Sequence, residues 1–392
     1  ISMTENLKND FLQKIEWRFY SYLVQYQLAK YDDDIIGQEV SANHNSVAYL
    51  STLRVDRIAR EKKKALLKAE IEYTKSISNE LNQKVAEKIE SSVNNESLIQ
   101  KKYIEFPAII FGLIEKLYMK STSLSQLEFY INDISWLNRQ LIDTLKHPYF
   151  SKQLQKSSRV KVDSLRSTLG ILGEDNLKYF IPKYIVEQNI PKDSSFPLIG
   201  RKLFEHSLMT GTACFHLAKN SKLKINPYIA YTSGLFHELG AIILFRMYLD
   251  TFEQVWQEEL KLARENIQQK RFNTISKIEP CRKHLRKMFF EHSRRFTGIV
   301  SKDFYFERLP LDKVLQRFCN RNSLDEHGAR DIISDYVDIL EKANIYAEAE
   351  ELFDVKLISE KNKSQLVLSK NITKEELVLL SSNNLKSFIE TN

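Results

Sequence analysis

The amino-acid sequence predicts an all-α protein, an irregular multi-helix bundle with an N-terminal helical extension. Only 10 glycines and 8 prolines occur among the 392 residues, which is too few for the frequent turns of a β-sandwich or barrel. Apolar residues recur at spacings of three and four through most of the chain, as on the buried face of a helix. From about residue 103 onward the predicted helices are short, at about 8 to 15 residues, and short turns join them, which is typical of a helical bundle.

Two helices are predicted in the N-terminal region. The apolar stripe of the first consists of Phe11, Ile15, Phe19, Tyr22, Leu23 and Tyr26. The second helix is longer, from about residue 47 to 89, and its stripe consists of Leu67, Ile71, Ile77, Leu81, Val85 and Ile89. Because Ser78 and Lys88 interrupt a strict heptad, we expect an amphipathic helix that packs on its own domain or on a partner. A coiled coil is the weaker alternative.

Denser apolar periodicity begins near Tyr103. Pro107 stands in the first-turn position that proline tolerates, so it predicts the start of a helix. Ser123 followed by Gln126 is a capping box for the next short helix. The segment 133–137 begins another helix, which ends near His147.

The second half of the chain continues this pattern. The segment 172–175 (LGED) predicts a tight turn before a further apolar run. Residues 365–368 (QLVL) suit either a short strand or coil beside a helix. Thr373 with Glu376 caps a last helix that we expect to run through Leu380 and Phe388.

These features divide the chain into three regions. Residues 3–100 are a polar, helical N-terminal region whose role the sequence does not indicate. Residues 103–350 are the main helical domain, and residues 351–392 are a C-terminal extension that ends in a helix.

The charge is mildly basic and unevenly distributed. Lysine and arginine number 58 against 51 acids, a net charge of +7. One basic run contains Arg54, Arg57, Arg60, Lys62, Lys63, Lys64 and Lys68. The other contains Lys277, Arg282, Lys283, Arg286, Lys287, Arg294 and Arg295. Either run could bind an anionic partner such as nucleic acid, but without aromatic interleaving a solvated helix face is the simpler interpretation.

The sequence favours a cytoplasmic protein without a membrane span. No run of 18 apolar residues occurs, and the first residues do not have the pattern of a signal peptide. The three cysteines, Cys214, Cys281 and Cys319, are odd in number and far apart, so we expect reduced, buried thiols.

One segment carries the clearest chemical pattern. Residues 234–240 read GLFHELG, so that His237 and Glu238 stand side by side. His206 precedes His237 by 31 residues, and His292 follows Glu238 by 54. A hydrolytic metal site needs imidazole and carboxylate ligands from different helices and an open position for water. The candidate metal ligands are therefore His206, His237, Glu238 and His292.

The order of these motifs resembles the HDOD family, the output domains of bacterial signalling proteins that are related to metal-dependent phosphohydrolases. The motifs in question are Phe106-Pro107, Asp133 with Trp136, Ser164-Leu165, Leu172-Gly173, His206-Ser207, the segment 234–240, and His292 with Gly298. A typical member reads Gly-Leu-Leu-His-Asp-Ile-Gly at the central motif, where this chain has Phe236 and Glu238. The likeness extends from about Tyr103 to Tyr346.

The resemblance also implies ligands that this chain lacks. A complete site has a late aspartate, and the matching position is Asn344, whose neutral amide is a poor ligand for a divalent cation. Many relatives have a further pair of histidines, where this chain has Phe318 and Cys319 in the stretch 314–319. We therefore expect no catalytic residues and no cofactor, with a single divalent ion as the alternative.

The functional prediction is a non-catalytic signal-transduction or regulatory domain that acts through protein or ligand contacts. Its partners would be signalling proteins or a second copy of the chain, bound through the N-terminal helices. A metal-dependent phosphohydrolase of nucleotides or cyclic dinucleotides is the first alternative. An anion-binding or nucleic-acid-binding protein that uses the two basic runs is the second.

Overall fold

The computed structural model describes residues 3–31, 54–93, 95–96, 99, 107–119, 121–148, 150, 164–304, 306–320 and 331–386. All regular structure in these residues is helical, which confirms the predicted fold class. The first helices are α1 (Met3–Val24), α2 (Tyr26–Tyr31), α3 (Arg54–Val93), α4 (Ala108–Tyr118), α5 (Leu124–Asn132), α6 (Ser135–Thr144), α7 (Leu165–Asn189) and α8 (Ile199–Asn220). They are followed by α9 (Pro227–Phe236), α10 (Leu239–Glu265), α11 (Gln269–Ile275), α12 (Arg282–Ser301), α13 (Leu311–Cys319), α14 (Ile332–Asp354), α15 (Glu360–Ser369) and α16 (Lys374–Ser382).

Local sequence signals set several helix ends. The capping boxes at Ser123 and Thr373 are both present, with reciprocal hydrogen bonds to Gln126 and Glu376. Gly173 has a φ of 76°, a left-handed conformation that glycine adopts without strain, and it breaks α7 at the predicted turn. The C-terminal expectations were less accurate. Residues 365–368 are part of α15, so neither the strand nor the coil interpretation is correct, and the last helix ends at Ser382. Phe388 lies outside the described residues.

A central group of helices forms the core and positions the site. Helices α8 and α9 lie backbone to backbone, because a Cβ placed on Gly234 would stand 2.6 Å from the Cα of Gly211. Helix α14 packs on α8, and α10 packs on α12. Most of α8, α9 and the first half of α10 is buried on all sides, as expected for helices at the centre of an all-α domain.

Helix α1 packs onto this core. Ile15, Phe19 and Leu23 of its predicted stripe are buried against α8, α12 and α14, whereas Tyr26 is exposed. Burial of large apolar side chains contributes about 1.5–3 kcal/mol each to stability. The N-terminal region is therefore attached to the main domain through α1.

Helix α3 behaves differently along its length. Ile77, Leu81, Val85 and Ile89 are buried where the C-terminal half packs on α10 and α11. Leu67 is 57% exposed and Ile71 is 48% exposed. Residues 60–72 are exposed throughout. The predicted stripe is thus buried only from residue 77 onward, and the preceding turns extend away from the rest of the described chain.

One helical stretch, Pro227–Glu265, is long and apolar enough to cross a membrane. However, 94% of its apolar window is buried inside the protein, as in a core helix of a soluble domain. The three cysteines are free thiols, and Cys214 is completely buried.

Candidate functional site

The segment 234–240 forms the sharp connection between α9 and α10. His237 is the C-cap of α9, and Glu238 is the N-cap of α10, so the two side chains lie at the meeting point of two helix ends. Gly240 allows this connection to lie directly on α12. A Cβ at Gly240 would stand 1.9 Å from the carbonyl oxygen of Ser293 and 2.5 Å from the amide nitrogen of Thr297.

Thr297 of α12 fixes the connection by two hydrogen bonds. Its hydroxyl donates to the carbonyl oxygen of His237 at 2.9 Å and accepts from the amide of Gly240 at 2.9 Å. Because all three residues are buried, these bonds are not exchanged with water, and the loss of one would leave an unpaired polar group. The positions of His237 and Glu238 therefore depend on α12.

Three helices bring His206, His237 and Asn344 together. The Nε2 atoms of the two histidines are 3.2 Å apart. The Oδ1 atom of Asn344 lies 3.0 Å from Nε2 of His206 and 2.9 Å from Nε2 of His237. The three atoms form a nearly equilateral triangle inside the bundle, and each residue is at most 5% exposed.

The hydrogen-bond partners assign the protons in this triangle. Nδ1 of His237 donates to the carbonyl oxygen of Gly234 at 2.6 Å, so its Nε2 carries a lone pair in the neutral ring. Nδ2 of Asn344 donates to Glu348 at 2.8 Å, which turns Oδ1 toward the imidazoles. Nδ1 of His206 faces Glu351 at 2.9 Å. The Nε2 proton of His206 is then shared by two acceptors.

Burial and charge separate the two imidazoles. Burial lowers the pKa of His206, but the charge and hydrogen bond of Glu351, together with the charges of Glu238 and Glu348, outweigh burial and raise the pKa to about 9. Burial lowers the pKa of His237 to about 3, and the positive charge of His206 adds to this effect. The buried pair therefore holds one imidazolium and one neutral imidazole.

Two buried carboxyl groups complete the centre. Burial raises the pKa of Glu238 to about 7, against the opposing charges of His206 and Arg294. Burial also raises the pKa of Glu348 to about 7, with a smaller contribution from Glu16. The hydroxyl of Tyr20 donates to Oε1 of Glu238 at 3.3 Å, whereas Oε2 of Glu238 has no hydrogen-bond partner among the described residues.

Helix α1 closes the centre on one side. The ring of Phe19 lies 4.5 Å from the ring of His206, and both side chains are completely buried. Tyr20 is 2% exposed and covers Glu238. At the edge, Glu16 pairs with Arg294 of α12 at 3.2 Å. Phe19 and Tyr20 thus occupy the space beside the polar triangle.

When His206 loses its Nε2 proton, the donor set fits a single divalent cation. The candidate ligand atoms of His206, His237 and Glu238 lie within 4.8 Å of one another, and the unpartnered oxygen of Glu238 is available as an anionic donor. Imidazole and carboxylate ligands are those preferred by several transition metals. A cation bound by these residues would supply Lewis-acid polarisation.

The structure does not bring His292 into this group. On α12 the buried face contains Phe289, Ser293, Phe296 and Thr297, and His292 lies about 100° away from Ser293 around the helix. Its Nε2 is 3.7 Å from Glu90 of α3. The expectation that His292 would join the metal ligands is therefore wrong, because α12 contributes Thr297 to this place.

Three residues, Phe318, Cys319 and Asn344, stand where the resemblance implies metal ligands that this chain lacks, and all three lie close to the centre. Asn344 is part of the triangle itself. The ring of Phe318 is 6.1 Å from the ring of His237, and the Arg294 guanidinium lies over it. Cys319 is next to Gly298, and burial raises the pKa of its thiol to about 12. Apolar groups therefore stand where the resemblance implies a second pair of histidines.

The two basic runs differ in their surroundings. In α12, Arg286 is buried over the ring of Trp17, Arg282 donates to the carbonyl oxygen of Ser195, and Arg294 pairs with Glu16. Lys283, Lys287 and Arg295 are exposed. In the basic run of α3 the side chains from Arg60 to Lys68 are exposed, and those of Arg54 and Arg57 lie outside the described side chains. The α12 run is thus partly internal, so the solvated-face interpretation is wrong for Arg286.

Sequence reasoning missed several residues of the centre. Tyr20, Glu348 and Glu351 contact the predicted site residues directly. Glu348 and Glu351 follow Asn344 at intervals of four and seven, the spacing of one helix face. That spacing could have placed them beside Asn344. No comparable signal indicated that α1 covers the site.

The fold and the buried His-Glu centre define an all-α domain of HD-like type. The HDOD domain family model matches residues 105–277, so this segment is an HDOD domain and the resemblance is confirmed over it. Asn344 lies beyond the matched segment. A solved structure of a candidate metal-dependent phosphohydrolase from Shewanella amazonensis SB2B is 15% identical, with 74% of this chain and 99% of that chain covered and a TM-score of 0.41. A comparison with curated proteins found no significant match.

Proposed function

We propose that the protein is a non-catalytic regulatory module in which the HD-like centre, formed by His206, His237, Glu238 and Asn344, anchors the N-terminal helix α1. The HDOD domain and the buried His-Glu centre support the scaffold. In this proposal the chain transmits a signal through contacts of α1 and the bundle with a protein partner or a second copy. The free thiols fit a reducing compartment, and we place the protein in the bacterial cytoplasm.

The observation that carries the proposal is the position of Phe19 and Tyr20. A hydrolase must admit both a substrate and a water molecule to its centre. Here the ring of Phe19 lies against His206, and Tyr20 donates to Glu238. These contacts use the polar groups of the centre to hold a helix of the same chain.

The composition of the centre supports the same conclusion. Asn344 contributes a neutral amide, and Phe318 contributes an aromatic ring. His206 is held as an imidazolium by Glu351, so a proton already provides positive charge inside the triangle. Among the described carboxyl groups near the triangle, Glu348 accepts from Asn344 and Glu351 pairs with His206, whereas Glu238 keeps an oxygen without a hydrogen-bond partner.

A turnover assay tests the non-catalytic role. The full chain is loaded with Mn²⁺, Fe²⁺ or Ni²⁺ and incubated with nucleotides and cyclic dinucleotides. The same assay uses Phe19→Ala and Tyr20→Phe, which remove α1 contacts with the centre without changing its ligands. We expect no turnover in any of these samples, because the ligand set is incomplete even when the centre is uncovered.

The outcome that contradicts the proposal is turnover that His237→Ala abolishes. If it appears only in the Phe19→Ala protein, the chain is a hydrolase that α1 inhibits. If it appears in the unmodified chain, the phosphohydrolase alternative is correct.

Nucleic-acid binding is a second candidate, because the structure exposes the basic side chains of α3 from Arg60 to Lys68. Binding through them would weaken steeply between low and physiological salt, since it releases counterions. Replacing Lys62, Lys63 and Lys64 by glutamine should then abolish it, whereas the same change at Lys283 and Lys287 of α12 should not. Absence of duplex or single-stranded binding at low salt would remove this candidate.

A further inference from the structure

A cavity of about 600 Å³ lies between α6 and α7, apart from the residues of the HD-like centre. Its lining includes Gln140 and Thr144 of α6 and a group of residues on one stretch of α7, namely Tyr179, Phe180, Lys183 and Tyr184. Cavities of this size hold small organic ligands in other proteins. Neither the family match nor the predicted site assigns a role to these residues.

The α7 side of the cavity is aromatic. The rings of Phe180 and Tyr184 are stacked, with centroids 5.8 Å apart and an interplanar angle of 13°. The ring of Tyr179 meets Phe180 edge to face at 5.3 Å. The hydroxyl of Tyr184 is held by Thr144 at 2.6 Å, which fixes its ring. A rigid aromatic wall of this kind favours a planar ring in the ligand.

Lys183 provides a positive charge to the cavity. Its ammonium lies 5.4 Å from the centroid of Tyr184, 6.0 Å from Phe180 and 5.9 Å from Phe204, and it forms no ion pair with a described residue. Burial lowers its pKa, and the more distant Glu187 only partly opposes this effect. An ammonium held among aromatic rings without a carboxylate partner would be stabilised in its charged form by an anionic ligand.

The other two lysines of the lining are already paired. Lys146 binds Asp143 at 2.6 Å, and Lys386 lies 3.6 Å from Asp354. The lining contains three lysines against the two acids Asp143 and Glu187. The cavity is thus mildly cationic, and Lys183 is the lysine whose charge remains uncompensated within hydrogen-bonding distance.

We propose that this cavity is a binding site for a small anion that carries a planar aromatic ring, the chemical class of a nucleoside phosphate. The ring lies against Tyr184 and Phe180, and the phosphate binds Lys183. This site does not depend on the function proposed for the HD-like centre, because their lining residues are different.

Isothermal titration calorimetry on the full chain tests the site with AMP, adenosine and inorganic phosphate as probes. We expect AMP to bind more tightly than either part. Lys183→Gln should weaken AMP at least about tenfold, the effect of losing one charge-assisted contact, and should leave adenosine unchanged. Tyr184→Leu should weaken both AMP and adenosine.

Lys219→Gln is the matched control, because Lys219 also lies over an aromatic ring, that of Phe215 at 5.6 Å, but is exposed and outside the cavity. It should bind AMP as the unmodified chain does. The proposal is overturned if AMP fails to bind at millimolar concentration. It is equally overturned if Lys183→Gln has no effect, or if Lys219→Gln weakens AMP to the same extent.

Discussion

At the scale of single residues, Asn344 determines the charge of the buried centre. Its amide accepts from an imidazole with Oδ1 and donates to Glu348 with Nδ2, so one neutral residue satisfies two partners of opposite kind. An aspartate could not donate to Glu348, and its second oxygen would face another carboxyl group. The asparagine therefore suits a centre held by hydrogen bonds.

Asn344→Asp should convert this centre into a better cation site. Without metal we expect a lower melting temperature, because the new carboxylate would lie beside Glu348 in a buried place. With Mn²⁺ we expect the loss to be recovered, and the affinity for Mn²⁺ to rise by about ten- to a hundredfold. Elemental analysis and melting curves with and without Mn²⁺ measure the two effects. Asn220→Asp, on the exposed end of α8, controls for added charge, and equal metal content in both variants would refute the prediction.

Gly240 is the residue on which the connection between α9 and α10 depends most. Gly240→Ala should destabilise the fold by about 3 kcal/mol, the upper end for overpacking, because the added methyl overlaps the backbone of α12. Gly170→Ala is the contrasting control. Gly170 is exposed on α7 with nothing within 4 Å, so alanine there should stabilise the helix by about 0.5–1 kcal/mol. Urea unfolding of the two variants should shift the midpoint in opposite directions.

The sequence predicted some residues of the centre and not others for a physical reason. His206, His237 and Glu238 could be selected because imidazole and carboxylate groups are recognisable ligands in a motif with fixed spacing. His292 was selected on the same chemistry, but a rotation of one residue on α12 decides whether a side chain faces α10 or α3. That rotation depends on packing, in particular on the fit of Gly240 against Ser293 and Thr297. The identity of the residues alone therefore does not predict the rotation of α12.

At the scale of helices, an ionic cluster holds α3 on the core beside its apolar stripe. Arg271 of α11 binds Glu80 through two parallel hydrogen bonds of 2.7 and 3.0 Å and also contacts Glu259 at 2.9 Å. Lys84 binds Glu259 at 2.6 Å. Paired hydrogen bonds from an arginine are stronger and more directional than a single contact. The cluster therefore fixes the orientation of α3 on α10 and α11.

The attachment of α3 should weaken in acid. The hydrogen bond from Arg271 lowers the pKa of Glu80 from 4.5 to about 2. A carboxyl group whose pKa is lowered in the folded state contributes stability above pH 4.5, and this contribution is lost as the pH falls toward 2. Amide exchange of α3 measured between pH 6 and pH 2.5, corrected for intrinsic rates, should show reduced protection at the acid end.

Glu80→Gln provides the control for this dependence, since it removes the titrating group. Because Glu80 is partly exposed, high salt should also reduce the effect in the unmodified chain. If the variant shows the same loss of protection in acid, Glu80 is not its cause.

At the scale of the whole molecule, the apolar stripes of the two N-terminal helices have different fates. The sequence predicted both helices from periodicity, but periodicity does not indicate what a stripe packs against. The stripe of α1 is buried on the core, and Trp17 stacks edge to face on Phe290 of α12 at 5.1 Å. Residues 60–72 of α3 are exposed although Leu66 and Leu67 are apolar. Only the long-range contacts of each helix determine whether its apolar stripe is buried, as in α1, or exposed, as in this part of α3.

The consequence for the whole molecule is that α1 should remain bound even when the chain is cut in α3. The helix from Arg60 to Lys68 is exposed and basic, and a helix without tertiary contacts opens readily, so brief trypsin treatment should cleave there. Lys84 and Lys88 lie in the packed half and bind Glu259 and Glu258, so they should resist. The N-terminal fragment should then co-elute with the rest of the protein in gel filtration.

The Phe19→Ala variant shows whether the contact with the HD-like centre is what retains this fragment. Truncation of a completely buried phenylalanine costs about 3–5 kcal/mol, which corresponds to a loss of more than a hundredfold in affinity. The cleaved variant should therefore release its N-terminal fragment, whereas cleaved Tyr26→Ala, altered at a side chain that is 36% exposed, should retain it. Release from the cleaved unmodified chain would mean that only the covalent connection holds α1 at the centre, and the regulatory role assigned to this contact would then be untenable.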